Sequence, residues 1–195
     1  MKTIVGLTGG YCSGKNQVAA ILMAHGYCCI DVDALGHQAL ELSKNELAET
    51  FGPRILDEHG GIDRKALGFL VFSSKSLLEK HESIVHPVML SLLDTELEKS
   101  ECVCINAALL YKFPQVSKCD YIIEVTASLE VRLERAKTRD SVNRETALAR
   151  ITNQEYLWKL RPRVYPPVFF ISNEGSIEDL EASLARIPGL FPRDT

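Results

Sequence analysis

Near the start of the chain, Gly9-Gly10-Tyr11-Cys12-Ser13-Gly14-Lys15-Asn16 has the residue types and spacing to hold a phosphate chain. It matches G-x-x-x-x-G-K, the glycine-rich phosphate loop, and lacks only the hydroxyl residue that usually follows the lysine. Glycines at 9 and 14 permit backbone conformations that turn several N–H groups inward, making a nest for phosphate oxygens at a helix N-terminus. Lys15 supplies a positive charge for the β- and γ-phosphates. Asn16 stands where a Mg²⁺-ligating hydroxyl is usual. Its amide oxygen can ligate the ion but lies one atom further out, and octahedral geometry at about 2.1 Å tolerates little displacement. The expectation is nucleotide binding, with weakened metal positioning at Asn16.

Three other places could carry chemistry. Ile30-Asp31-Val32-Asp33 puts two carboxylates at the end of a short apolar run. Asp33 can be read as the N-cap of the next helix, or as a carboxylate that takes a proton from an attacking hydroxyl or holds Mg²⁺ through water. Arg132, Arg135 and Arg139 are spaced i, i+3, i+7 and share one helix face, with Leu129, Leu133 and Ala136 on another. Such a face could stabilise charge spread over phosphoryl oxygens, or it could be a solvated helix with Glu130 and Glu134 as partners. His86-Pro87 taken alone reads as a helix break beside a histidine.

The elements that must position these groups alternate. Apolar runs over Thr3–Leu7, Tyr27–Asp31, Cys102–Ala107, Tyr121–Thr126 and Val168–Ser172 read as strands. Helical patterns run from about Gly14 to His25, closed by Gly26, and from Ala34 to Phe51. A turn-rich stretch, GPRILDEHGGID, precedes helix over Arg64–Lys99, interrupted near His86-Pro87. Leu129–Tyr156 reads as one or two charged helices, and Ser176–Ile187 as a last helix with Ser176 as N-cap. Near-continuous apolar strands separated by helices predict an α/β fold with a parallel sheet covered on both faces. Ligands then bind beyond the carboxyl ends of the strands, after Leu7, Ile30 and Ile105. The helical stretch from Ala34 to Lys99 is too long for a simple crossover and predicts a second lobe.

The chain has 195 residues, 46% apolar and 25% charged, the balance of one globular domain. Its net charge of −4 argues against a general nucleic-acid binder. Between Leu129 and Arg163, however, nine Lys/Arg face five Asp/Glu, a local basic excess suited to an anion. No apolar run approaches a membrane span, and the N-terminus does not read as a signal peptide, so the expected compartment is the cytoplasm. The six cysteines include no C-x-x-C pair, which argues against zinc. Cys28, Cys29, Cys102 and Cys104 lie in strand-like runs and are expected to be small buried hydrophobes.

Eight segments in order, VGLTGGYCSGKNQVA, IDVDALGHQAL, GIDRKALGFLVF, IVHPVM, CDYIIEV, RLERAKTRD, RITNQ and ISNEGS, resemble the dephospho-coenzyme A kinases along the whole chain. The resemblance implies a P-loop NTPase fold, three-layer αβα with a parallel five-stranded sheet. It implies a single domain with a core at about 1–33, 100–127 and 164–195, a helical acceptor lobe at about 34–99 and a helical lid at about 128–163. It also implies transfer of the ATP γ-phosphate to the ribose 3′-hydroxyl of dephospho-coenzyme A, with Mg²⁺. On that likeness Asp33 is the general base, with Lys15 and Arg139 as further catalytic residues. Gly9, Gly10, Tyr11, Cys12, Ser13, Gly14, Lys15 and Asn16 hold ATP, Asn16 being the candidate metal ligand. Arg64 and His86, with Asp33, hold the acceptor. The expected partner is this small molecule, with neither nucleic acid nor membrane.

The chain departs from the family pattern after the third strand. Asn106 stands for an acidic residue, Ala108 for a proline and Lys112 for a glutamate; Pro166-Pro167 replaces an acidic residue near the fifth strand. These positions motivate an alternative, a silent or weakened nucleotide- or coenzyme A-binding relative. Another small-molecule P-loop kinase is a further one. A GTPase switch fits poorly, because Ser117-Lys118-Cys119-Asp120 precedes a strand where the guanine-reading motif follows one.

Overall fold

The computed structural model describes residues 2–191. They divide into two compact units, 2–30 with 100–191, and 31–99. The first is built on a five-stranded sheet of order β2-β3-β1-β4-β5. Its strands are β1 (Thr3–Gly9), β2 (Cys28–Asp31), β3 (Cys102–Asn106), β4 (Tyr121–Thr126) and β5 (Val168–Ser172). The β1–β3, β1–β4 and β4–β5 pairings are all parallel. Val5 and Leu7, Val103 and Ile105, and Ile122 and Ile123 are fully buried, as strands covered on both faces require. One face packs against α1 (Lys15–Ala24), through Val18 and Leu22, and against the C-terminal helix through Leu180 and Leu184.

The second unit is helical. The expected helix from Ala34 to Phe51 is two, α2 (Val32–Leu42) and α3 (Lys44–Phe51), because buried Ser43 leaves helical geometry at ψ 7°. The turn-rich stretch closes through an antiparallel bridge between Leu56 and Ile62. Then come α4 (Arg64–Val71) and α5 (Lys75–Leu97). The break expected at His86-Pro87 is absent. A proline inside a helix costs about 3 kcal/mol, but Val85, Met89, Leu93 and Leu97 form one buried i, i+4 stripe past it, and burial of that stripe outweighs the lost bond. The helix breaks earlier, where Ser74 accepts a hydrogen bond from the Leu77 amide and starts α5 afresh.

In the first unit α6 (Leu129–Asp140) and α7 (Arg144–Thr152) are separated by Ser141 in left-handed geometry, φ 52°. α8 (Ile177–Leu184) opens with a full capping box between Ser176 and Asp179. All six cysteines are free, and Cys28 is exposed rather than buried, because β2 is an edge strand. Among the described residues, no helix is long and apolar enough to cross a membrane.

Candidate active site

β1 is the central strand, and its carboxyl end feeds the glycine loop into α1. Register places Leu7 beside Asn106 of β3 and Gly9 beside Val125 of β4, so the loop opens between two neighbouring strand ends. Within it Cys12 (φ 59°) and Gly14 (φ 92°) are left-handed. The Ser13 amide closes a turn on the Gly10 carbonyl at 2.9 Å. A side chain at 14 is impossible without movement: a Cβ there would lie 1.8 Å from Asn173 Nδ2. α1 opens on Gly14 with no side-chain cap, so its first amides and the positive end of its dipole face outward, ready for an anion.

The residues around the loop hold its carbonyls rather than its amides. Arg132 Nε donates to the Tyr11 carbonyl at 2.8 Å, and Arg135 donates to the Ser13 carbonyl at 3.2 Å and to that of Asn173 at 2.9 Å. Asn173, 3% exposed at the end of β5, donates from Nδ2 to the Ser13 carbonyl at 3.0 Å and to Gln17 Oε1 at 2.8 Å. A peptide N–H points opposite to the C=O of the same plane, so fixing the Tyr11 and Ser13 carbonyls turns the amides of Cys12 and Gly14 the other way. The Tyr11 amide is an exception, donating to Gln154 Oε1 at 2.6 Å.

The arginine face therefore meets the loop, and among the described residues no ion pair joins it to Glu130 or Glu134. Arg139 pairs with Asp140 at 2.7 Å, and its guanidinium lies 5.5 Å from the centre of the Tyr11 ring. Arg150 donates to the Tyr11 hydroxyl at 2.9 Å, and that hydroxyl also bonds Asp140. The Arg139 guanidinium, then Tyr11, hold the Asp140 carboxyl well below the usual carboxylate range. Burial raises the Cys12 thiol, so this loop cysteine is no ready nucleophile.

Lys15 donates from Nζ to Asn106 Oδ1, which lies at the carboxyl end of β3 and is 8% exposed. Lys112 lies 5.5 Å from the Tyr156 ring centre. Asn16 is exposed at the start of α1. Among the described residues no group of three or more His, Cys, Asp or Glu could hold a metal. Asn16 on the loop and Asn106 on β3 thus offer neutral amide oxygens, that of Asn106 already accepting from Lys15, and these do not fit a Mg²⁺ held by protein carboxylates.

Asp33, Arg64 and His86 belong to the other unit, 31–99. Asp33 is exposed in the first turn of α2, and the cap is Asp31, which accepts from the Asp33 amide at 3.0 Å. The Asp33 carboxylate is therefore not consumed by capping. Arg64 is the exposed first residue of α4, whose cap, Asp63, accepts from Lys65 and Ala66 at 2.9 Å. His86 is half-buried on α5 near His81, a residue the sequence did not single out. Burial, then His86, lowers the His81 pKa, and its Nδ1 has no partner.

Sequence reasoning also missed Asn173, Gln154 and a buried charge cluster on β4. Glu124, 4% exposed, accepts from Arg161 and from the Tyr111 hydroxyl. A glutamate in the middle of YIIEVT was the available signal, since an apolar strand has no place for an unpaired carboxylate.

A family model described as dephospho-CoA kinase matches residues 3–179. A relative of that name from Bacillus licheniformis is 34% identical over 195 residues, 96% of each chain. Another from Thermus thermophilus is 36% identical over 186 residues, 94% of this chain and 89% of its own. A crystal structure from Thermus thermophilus superposes with a TM-score of 0.80 at 36% identity, covering 96% of this chain and 99% of that one. Shikimate kinase from Bacteroides thetaiotaomicron, at TM-score 0.53 and 13% identity over 96% of this chain and 97% of its own, shares the fold alone. The glycine loop on the central strand thus sits in a P-loop kinase fold, and the chain belongs to the dephospho-CoA kinase family.

Proposed function

We propose that this chain transfers the γ-phosphate of ATP to the ribose 3′-hydroxyl of dephospho-coenzyme A, giving coenzyme A. The observation that carries this is the loop between β1 and α1, whose Tyr11 and Ser13 carbonyls are tied back by Arg132, Arg135 and Asn173, turning the Cys12 and Gly14 amides the other way, where they can meet an anion. With a family match spanning residues 3–179, that geometry supports a kinase. Gly9 to Asn16 hold the triphosphate, and Lys15 exchanges its bond to Asn106 for phosphate oxygens. Asp33, uncapped and exposed, accepts the proton of the attacking hydroxyl. Arg64 and His86 hold the acceptor. The α6–α7 segment, residues 128–163, acts as a lid, and Arg139 leaves Asp140 to meet charge developing on the transferred group.

Asn16 is the loop residue whose amide oxygen would help hold a Mg²⁺ entering with ATP, and the ion would supply neutralisation of the phosphate charge. The test is ADP release by the purified chain with and without dephospho-coenzyme A. Acceptor-dependent release supports the reading; saturable ATP binding with no acceptor-dependent turnover favours the silent relative that Asn16, Asn106 and Lys112 suggest.

A further inference from the structure

Glu124 is a carboxylate buried behind an anion site. Besides its bonds it lines a cavity of about 110 Å³ whose other walls include Gly10 and Ser13 of the loop, Arg132 and Trp158. Ser13 Oγ is buried there without a partner. A negative charge so close to the phosphate loop, in a medium of low dielectric, weakens the hold on any anion unless it is masked. Arg161 masks it side-on, Nε at 2.8 Å from one oxygen and Nη2 at 2.6 Å from the other. The Tyr111 hydroxyl fills a further lone pair at 2.7 Å. The hydrogen bond to Glu124 raises the Arg161 pKa, keeping the mask charged.

The same arginine ends the stretch that touches the loop. Gln154 at its front holds the Tyr11 amide, and Trp158 meets the Tyr111 ring edge-on with centres 6.3 Å apart. At the rear the Arg161 guanidinium lies 4.8 Å from the Phe170 ring centre. We infer that Arg161 is a positioning residue for ATP: it neutralises Glu124 behind the phosphate loop and pins residues 154–161 to β4, so the loop meets the triphosphate without an opposing charge. This rests on the loop being the ATP site.

The experiment compares Arg161→Met, Glu124→Gln and the double variant by KM for ATP and kcat, with Trp158, the one tryptophan, reporting packing by its emission. A unit charge about 10 Å away at an effective dielectric near 20 is worth about tenfold in affinity. Arg161→Met should therefore raise the ATP KM about tenfold with a much smaller change in kcat. Glu124→Gln leaves a positive charge there instead, so it should not raise KM, and adding it to Arg161→Met should restore most of the loss. A merely structural role would instead lower activity in all three without that rescue. Should Arg161→Met fail to fold, Arg161→Gln, which keeps a donor on Glu124 without the charge, carries the same expectation. An unchanged ATP KM in the folded arginine variant, or a double variant no better than the single, overturns the inference. A wild-type chain that binds no ATP overturns the donor-site reading with it, whereas normal wild-type binding with an indifferent arginine variant overturns this inference alone.

Discussion

Replacing Gly14 by alanine puts a methyl group where the structure has no room. The new Cβ would fall 1.8 Å from Asn173 Nδ2, so Asn173 must withdraw and forfeit its bonds to the Ser13 carbonyl and Gln17 Oε1. Each such bond is worth about 1 kcal/mol. The backbone at φ 92° adds about 1–2 kcal/mol for any residue with a Cβ, partly offset by the stiffer unfolded chain. The net cost is about 3 kcal/mol, or a fall in melting temperature of about 10 °C for a chain of this size. If the loop absorbs the strain instead, ATP affinity drops on the order of a hundredfold. Urea unfolding and ATP titration together separate the two. In an Asn173→Ala background the alanine should cost only the backbone part, leaving a coupling of about 2 kcal/mol between the positions. Wild-type stability and ATP affinity in Gly14→Ala, or strict additivity of the pair, would mean that Asn173 does not close the space beside Gly14.

Asp33→Asn should lose turnover by at least about a hundredfold while ATP affinity stays within a few-fold, as removal of a general base predicts; steady-state kinetics beside equilibrium binding checks it. Asn16→Ser should lower the Mg²⁺ concentration for half-maximal rate, because a hydroxyl restores the shorter ligand; an unchanged Mg²⁺ titration would remove Asn16 from metal handling. The Asp140 carboxyl is depressed by Arg139 and Tyr11. A depressed carboxylate contributes stability that is complete above its unfolded pKa, about 3.9, and is lost as pH falls through the folded one. Asp140→Asn should therefore lower stability at neutral pH, where the carboxylate contributes in full, and flatten the acid limb below about pH 4 so that the two curves converge there, as urea midpoints would report.

Local signals were strongest where one backbone requirement dominates. The five strands, the glycine loop and the Ser176 cap were legible because continuous apolar runs, a left-handed glycine at 14 and an exposed capping serine are each decided within a few residues. Pro87 misled for the opposite reason: its local penalty is real, but the stripe from Val85 to Leu97 that outweighs it is a tertiary fact. Asp31, not Asp33, is the cap, and two adjacent carboxylates do not announce which one turns back on the backbone. The arginine periodicity located the right face but not its partners, since loop carbonyls as acceptors leave no trace in spacing. Asn173 and Gln154 reach the loop from 160 and 143 residues away in sequence, distances no pattern spans.

The most direct measurement is the identity of the product when the chain is incubated with ATP, Mg²⁺ and dephospho-coenzyme A, followed by phosphorus NMR and mass. One new phosphate monoester on the ribose 3′-oxygen should appear, with ADP formed in equal amount and both at least about a hundredfold slower in Asp33→Asn. ADP formed at the same rate without acceptor, or phosphate carried to another hydroxyl, would contradict the proposed transfer.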